Sequence, residues 1–297
     1  MDFDGGMCYD KTKWHGRKKK VAEQYNSISL THLAATLADA LGVERPHEAH
    51  EPITSLENLV KKQAGGRVDR IFMYNPDAVA QWLYQKYTPW FDGVHRHTQL
   101  SVPLQTVMPS VTPVCFGTMY TGALPEVHGI RKYEKPVIRI DTLFDAVIRA
   151  GKKCAIVADP KCSMSNIFLE REMDYFRFDT IEEINRKAME LIEADTYDLL
   201  VVYNGNYDST MHKNGPESEV SLNALRDNIA SFDRFCTAIE QRWVSHDTLV
   251  AFAMDHGCHE IDGSCGSHGL DMPEDLNILH HYGVIPRHEE TIERRPF

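Results

Sequence analysis

Asp77, Asp208, His212, Asp255, His256 and His268 together offer three carboxylates and three imidazoles. That mix of oxygen and nitrogen donors suits zinc, manganese or iron. Two ions could share it, and a metal pair ~3.5–4 Å apart clamps the attacking and leaving oxygens of an in-line displacement at phosphorus. Such a site needs a nucleophile between the ions. Thr112 suits that place: it precedes Pro113 and an apolar stretch ending at Gly122, so it reads as the N-cap of a helix with proline at the first helical position. A phosphate oxygen there meets free backbone N–H groups and the positive end of the helix dipole, and a metal ion would lower the pKa of the threonine hydroxyl.

These residues need elements that bring them together. Apolar runs recur at 70–74 (RIFMY), 105–108 (QTVM), 152–158 (KKCAIVA), 197–203 (YDLLVVY) and 247–254 (DTLVAFAM). Helix-like stretches lie among them at 29–41, 140–150, 181–194 and 217–243. The alternation predicts an α/β fold of buried parallel strands joined by crossover helices. Asp77, Thr112, Asp208 and Asp255-His256 all come just past a predicted strand, and parallel sheets bind ligands outside the carboxyl ends of their strands. Ser29 or Thr31 caps the first helix and Gly42 ends it, while 43–68, with two prolines, reads as a connector.

Composition narrows the function. Against 32 basic residues stand 43 acidic ones, for a net charge of -11, which argues against a protein that binds nucleic acid by neutralising phosphates. A small anionic substrate stays compatible, because bound metal reverses the local charge. No apolar run approaches the ~18 residues of a membrane helix and the start carries no leader pattern, so the expectation is a cytoplasmic protein without a membrane partner. The seven cysteines include no CxxC pair and are expected to be reduced thiols. The basic run RKKK at 17–20 reads as a solvated face. Taken singly, Thr112 would be an ordinary cap, His212 a surface residue and Asp77 a turn residue. Only their coincidence argues for chemistry.

Four segments carry a resemblance. PSVTPVCFGTMYTGALPEVHGI (109–130) resembles the nucleophile segment of the type I phosphodiesterase/nucleotide pyrophosphatase family within the alkaline phosphatase superfamily. YNGNYDSTMHKNGP (203–216), MDHG (254–257) and SHG (267–269) are similar to its metal motifs, in family order over roughly residues 70–270. The resemblance implies an alkaline-phosphatase-like core, a largely parallel sheet flanked by helices on both faces. Residues 66–297 would form the catalytic domain and 1–65 an N-terminal extension with a packing helix. It also implies two divalent ions, zinc or manganese, one held by Asp208, His212 and His268, the other by Asp77, Asp255, His256 and the Thr112 oxygen. The implied reaction is hydrolysis of a small phosphate ester, a phosphodiester or nucleotide-like molecule, through phosphothreonine at Thr112.

Where the family commonly has an asparagine contacting phosphate, this chain has Cys115. Cys115, Asn206 and Lys213 are the candidate substrate contacts, and His259 reads as a supporting or exposed residue. The short gap from His256 to His268 leaves little room for a substrate-selecting lobe. The alternatives are a phosphomonoesterase, phosphonate hydrolase or phosphomutase of the same superfamily, or a metal-binding relative without catalysis. Few basic residues flank the motifs, which favours a diester over a dianionic monoester.

Overall fold

A computed structural model describes residues 24–288. Cys8, the 17–20 basic run and the rest of the N-terminal start lie outside the described residues. In chain order the strands are β1 (Ile28–Ser29), β2 (Arg70–Pro76), β3 (Leu100–Gln105), β4 (Cys154–Ala158), β5 (Asp174–Arg177), β6 (Leu199–Asn204), β7 (Thr248–Phe252), β8 (His259–Ile261), β9 (Cys265–Ser267) and β10 (Asn277–Ile285). Eight of these form one sheet in the order β1-β3-β10-β7-β2-β6-β4-β5, and β8-β9 is a separate hairpin. Only β10 runs antiparallel to its neighbours in that sheet. The fold is alkaline-phosphatase-like α/β.

The four central parallel strands β2, β4, β6 and β7 are buried along their whole length. A sheet without a wet face must be covered on both sides. One helix group, Leu33–Leu41, Thr112–Thr121, Leu143–Arg149 and Ser163–Ile167, packs together, and another comprises Ile181–Ala194, Asn206–Asn214 and Glu219–Arg242. β4 touches a member of each group. The first helix follows a short 3-10 turn, Leu30–His32, in which Ser29 accepts from the Thr31 N–H, and Gly42 ends it at φ 66°. No helix among the described residues is long and apolar enough to cross a membrane.

Three sequence expectations are corrected. The strand placed at 105–108 is β3, which ends at Gln105; its burial alternates, and Pro103 sits where β1 does not pair, so no ladder bond is lost. Residues 106–111 are the exit loop toward Thr112. The connector at 43–68 contains the helix Thr54–Ala64, which buries only Leu56 and Val60 among polar neighbours and therefore gives a weak periodic signal. β10 was not anticipated because His280 and His281 interrupt its apolar run. Both are fully buried, and burial lowers their pKa values to about 4 and about 3, so they pack as neutral rings. His280 donates through Nε2 to the Met254 carbonyl at 2.6 Å, and that bond steadies the backbone just before Asp255.

Candidate active site

The carboxyl edge of the sheet gathers the site. Asp77 is the first residue past β2, Asp208 lies in the first turn of the helix after β6, and Asp255-His256 leave β7. His212 shares a helix face with Asp208 at the i,i+4 spacing. The β8-β9 hairpin returns the chain to His268. Thr112 stands one place further into its helix than the sequence suggests: Val111 occupies the cap and makes no side-chain cap bond. The Thr112 hydroxyl is therefore not used in capping. Its Oγ lies 3.4 Å from Asp77 Oδ2 and 3.3 Å from His256 Nε2.

Two ligand groups form, Asp208/His212/His268 and Asp77/Asp255/His256, each with donor atoms within 4.8 Å of one another. In the first, Asp208 Oδ1 lies 3.2 Å from His212 Nε2 and 3.5 Å from His268 Nε2. In the second, His256 Nε2 is 3.4 Å from Asp77 Oδ1 and 3.3 Å from Asp255 Oδ2. The Nδ1 atoms of His212, His268 and His256 sit 3.0, 2.8 and 2.9 Å from the carbonyls of Gly266, Ser110 and Gly257. A carbonyl only accepts, so each Nδ1 carries a proton, and in the neutral ring each Nε2 turns a lone pair toward carboxylate oxygen. Lone pair facing lone pair is repulsive unless a positive charge lies between.

The carboxylates make the same point. Asp77 Oδ1, Asp208 Oδ1 and Asp255 Oδ2 are buried without a hydrogen-bond partner. Burial, with the charge of Asp208, raises Asp77 to about 7, and burial with the charge of Asp77 drives Asp255 well above the usual range. Burial also works against ionised Asp208, but His212 and His268 beside it, in their protonated forms, outweigh that and hold it low. Burial and the charge of His268 push His256 well below an ordinary imidazole. Three carboxylates in this space require compensating charge, and the donor set and orphaned oxygens fit divalent cations.

Several residues hold these ligands in place. Tyr203, nearly buried, donates its hydroxyl to Asp77 Oδ2. Thr106 Oγ donates to the Asp255 carbonyl at 2.7 Å, and the Ala78 N–H reaches Asp255 Oδ1 at 3.3 Å from a left-handed backbone, φ 63°. Strain of that kind, about 1–3 kcal/mol, persists only where the surroundings over-determine it. Buried Asp275 receives His259 Nδ1 at 2.8 Å, and its carbonyl accepts the Gly257 N–H at 2.8 Å. A Cβ at Gly257 would stand 2.0 Å from the Glu274 carbonyl oxygen, which accounts for the glycine of the MDHG segment. Gly257→Ala is expected to destabilise the chain by about 2–3 kcal/mol in urea unfolding, as overpacking against backbone does. An unchanged unfolding midpoint would mean that the 273–276 turn retreats freely.

The family model for type I phosphodiesterase / nucleotide pyrophosphatase matches residues 75–281. The chain belongs to that family. Among solved structures it is similar to an inactive murine ectonucleotide pyrophosphatase / phosphodiesterase 5 in complex with AMP, at TM-score 0.52 and 17% identity over 64% of this chain. The human protein of that name gives TM-score 0.50 and 16% identity over 64%. In both cases the match spans 57% of the other chain. Phosphonoacetate hydrolase from Sinorhizobium meliloti 1021 in complex with phosphonoformate gives TM-score 0.49 and 17% identity, covering 66% of this chain and 59% of that one. At such identities the two matches with TM-scores of 0.52 and 0.50 show a shared fold alone. No curated protein matches the sequence.

In this phosphodiesterase-family chain the seven residues expected around the metals come together, while two of the three expected substrate contacts, Cys115 and Asn206, have their side chains engaged elsewhere. Cys115 is fully buried, its Sγ 3.9 Å from the Val107 carbonyl, and burial pushes its thiol far up. Asn206 accepts from Asn228 at 2.9 Å and donates to the Ala224 carbonyl at 3.4 Å, which ties its side chain to the Glu219–Arg242 helix. Lys213 is exposed beside His212. Tyr203, Ser110 and Asp275 are the supporting residues that sequence reasoning missed. Tyr203 and Ser110 had a signal, since they lie in the quoted segments 203–216 and 109–130, and Asp275 had none.

Proposed function

We propose that this chain is a metal-dependent phosphodiesterase that works through a phosphothreonine at Thr112. The observation that carries the reading is the position of the Thr112 hydroxyl, within 3.4 Å of Asp77 and His256 and free of any capping bond. Asp208, His212 and His268 would hold one divalent cation, and Asp77, Asp255 and His256 the other. Zinc or manganese suits the nitrogen and oxygen donors. Such ions, when bound, supply Lewis-acid charge that favours ionised threonine and a departing alkoxide.

The chain's residues account for the rest. At the start of the Thr112–Thr121 helix, Pro113 has no N–H and those of Val114 and Cys115 donate to the Val111 carbonyl at 3.0 Å, so the Thr112 N–H and the positive end of the helix would meet a phosphate oxygen. Thr112 Oγ forms its bond to phosphorus as the ester bond breaks, and its proton leaves toward Asp77 Oδ2. The departing alcohol takes a proton from solvent. Water then forms the new bond to phosphorus, the Oγ–P bond breaks, and Thr112 recovers a proton.

A phosphodiester is the favoured substrate class. Of the three basic residues beside the motifs, Arg131 donates to the Glu126 carbonyl at 3.2 Å and Lys132 pairs with Glu134 at 3.4 Å, which leaves Lys213, exposed beside His212, as the one basic side chain for a dianionic phosphate. A missing charge-assisted hydrogen bond costs roughly 1.5–3 kcal/mol, so an aryl phosphodiester should exceed the matching monoester in kcat/KM by about tenfold or more. The paired measurement, p-nitrophenyl phosphate against its phenyl diester at saturating metal, decides the matter. A clear monoester preference would move the assignment toward phosphatases or mutases.

A further inference from the structure

Two exposed apolar side chains lie on the segments that carry His268 and Thr112. Leu270, two residues past His268, is 54% exposed, and Met108, in the loop before Thr112, is 41% exposed. A single exposed leucine means little. Here, however, the two segments are fastened to each other. The Gly269 N–H donates to Ser110 Oγ at 3.1 Å, His268 Nδ1 bonds the Ser110 carbonyl at 2.8 Å, and a Cβ at Gly269 would lie 3.4 Å from half-buried Val111. Asp275 Oδ2 accepts the Leu270 N–H at 2.8 Å, so the backbone that presents this leucine is fixed at both sides. An apolar side chain held rigidly in water beside a site is poised for a ligand.

We infer that Leu270, Met108 and Val111 form an apolar rim that receives the leaving group of the ester, and that this enzyme selects diesters whose leaving alcohol is aryl or alkyl and uncharged. The inference rests on the phosphodiesterase reading above. In-line displacement sends the leaving group away from the nucleophile, and Thr112 Oγ sits against Asp77 and His256. The departing oxygen therefore faces the Asp208/His212/His268 group, and Leu270 continues the chain directly beyond that group. No Asp, Glu, Lys or Arg occurs at positions 105–115 or 263–270, and Asp271, directly after Leu270, disfavours an anionic leaving group at the rim; the basic residue on the helix that carries Asp208 and His212 is Lys213, exposed outside the rim segments.

The test uses two phenyl phosphodiesters that differ only in the leaving phenol: 4-nitrophenol, and a nitrophenol of matched acidity bearing a carboxylate. The parent should prefer the uncharged leaving group. Leu270→Ser should reduce that ratio of kcat/KM values about fivefold, mostly through KM, as expected for one lost apolar contact. Leu270→Phe should retain the preference, and thermal melting of both variants checks the fold. A ratio unmoved by Leu270→Ser in a folded, active enzyme overturns the rim while leaving the phosphodiesterase reading intact. A parent that hydrolyses neither diester overturns both.

Discussion

Thr112→Ala is expected to lose phosphodiester hydrolysis by roughly three to five orders of magnitude, the scale seen when a covalent nucleophile is removed from an otherwise intact site. The variant should fold, because Val111 rather than Thr112 caps the helix and the hydroxyl makes no capping bond. It should still bind metal, since the six carboxylate and imidazole ligands remain. Loss of activity with retained metal separates a nucleophile from a structural threonine. Thr112→Ser keeps an attacking oxygen and should retain a measurable part of the rate. Acid quench of the parent during turnover, followed by peptide mass analysis, should find phosphate on Thr112. Phosphate trapped on another residue, or full activity in the alanine variant, would end this assignment.

The sequence was most legible where one rule governed it. β2, β4, β6 and β7 are apolar because both faces are covered, and Asp77, Asp208 and Asp255-His256, within a few residues past β2, β6 and β7, were legible as candidate site residues. Where two requirements compete, the pattern blurs. β10 buries His280 and His281, whose rings read as polar in a sequence but pack as neutral side chains between a carbonyl, a tyrosine hydroxyl, a serine and aromatic rings. β3 has one partner over most of its length, so it alternates instead of running apolar, and its position was misjudged.

The substrate contacts show a different limit. Cys115 lies three residues after Thr112, which on an amphipathic helix would place both on one face. All ten residues of this helix are buried, so helical spacing does not reveal which side meets the substrate. Asn206 precedes Asp208 by two residues and points instead at the Glu219–Arg242 helix, where Asn228 takes its oxygen. Polar type and nearness in sequence were insufficient in both cases, because a residue's partner is chosen by packing between elements far apart in the chain.

Exhaustive chelation is expected to abolish activity and to lower the melting temperature by roughly 5–10 °C, with zinc or manganese restoring both. An ion present at a hundred times its dissociation constant contributes about 2.7 kcal/mol, and each kcal/mol shifts the melting temperature by about 2–4 °C in a chain approaching this size. Metal analysis of the active enzyme should approach about two ions per chain. Asp255→Asn gives the sharper test, because its effect should change sign with the metal. Asp255 Oδ2 is buried without a partner and lies 3.3 Å from His256 Nε2, whose lone pair faces it. An asparagine Nδ2 placed there would donate to that lone pair and remove the cost of burying or protonating a carboxylate. Under chelation Asp255→Asn should therefore melt above the parent. With saturating metal it should melt below the parent, since a cation then loses a charged ligand and the neutral amide is a weaker one. Stabilisation in both conditions would show that Asp255 serves no cation. Destabilisation in both would show that its carboxylate is held by hydrogen bonds, and activity that survives exhaustive chelation with no metal bound would remove the metal centre altogether.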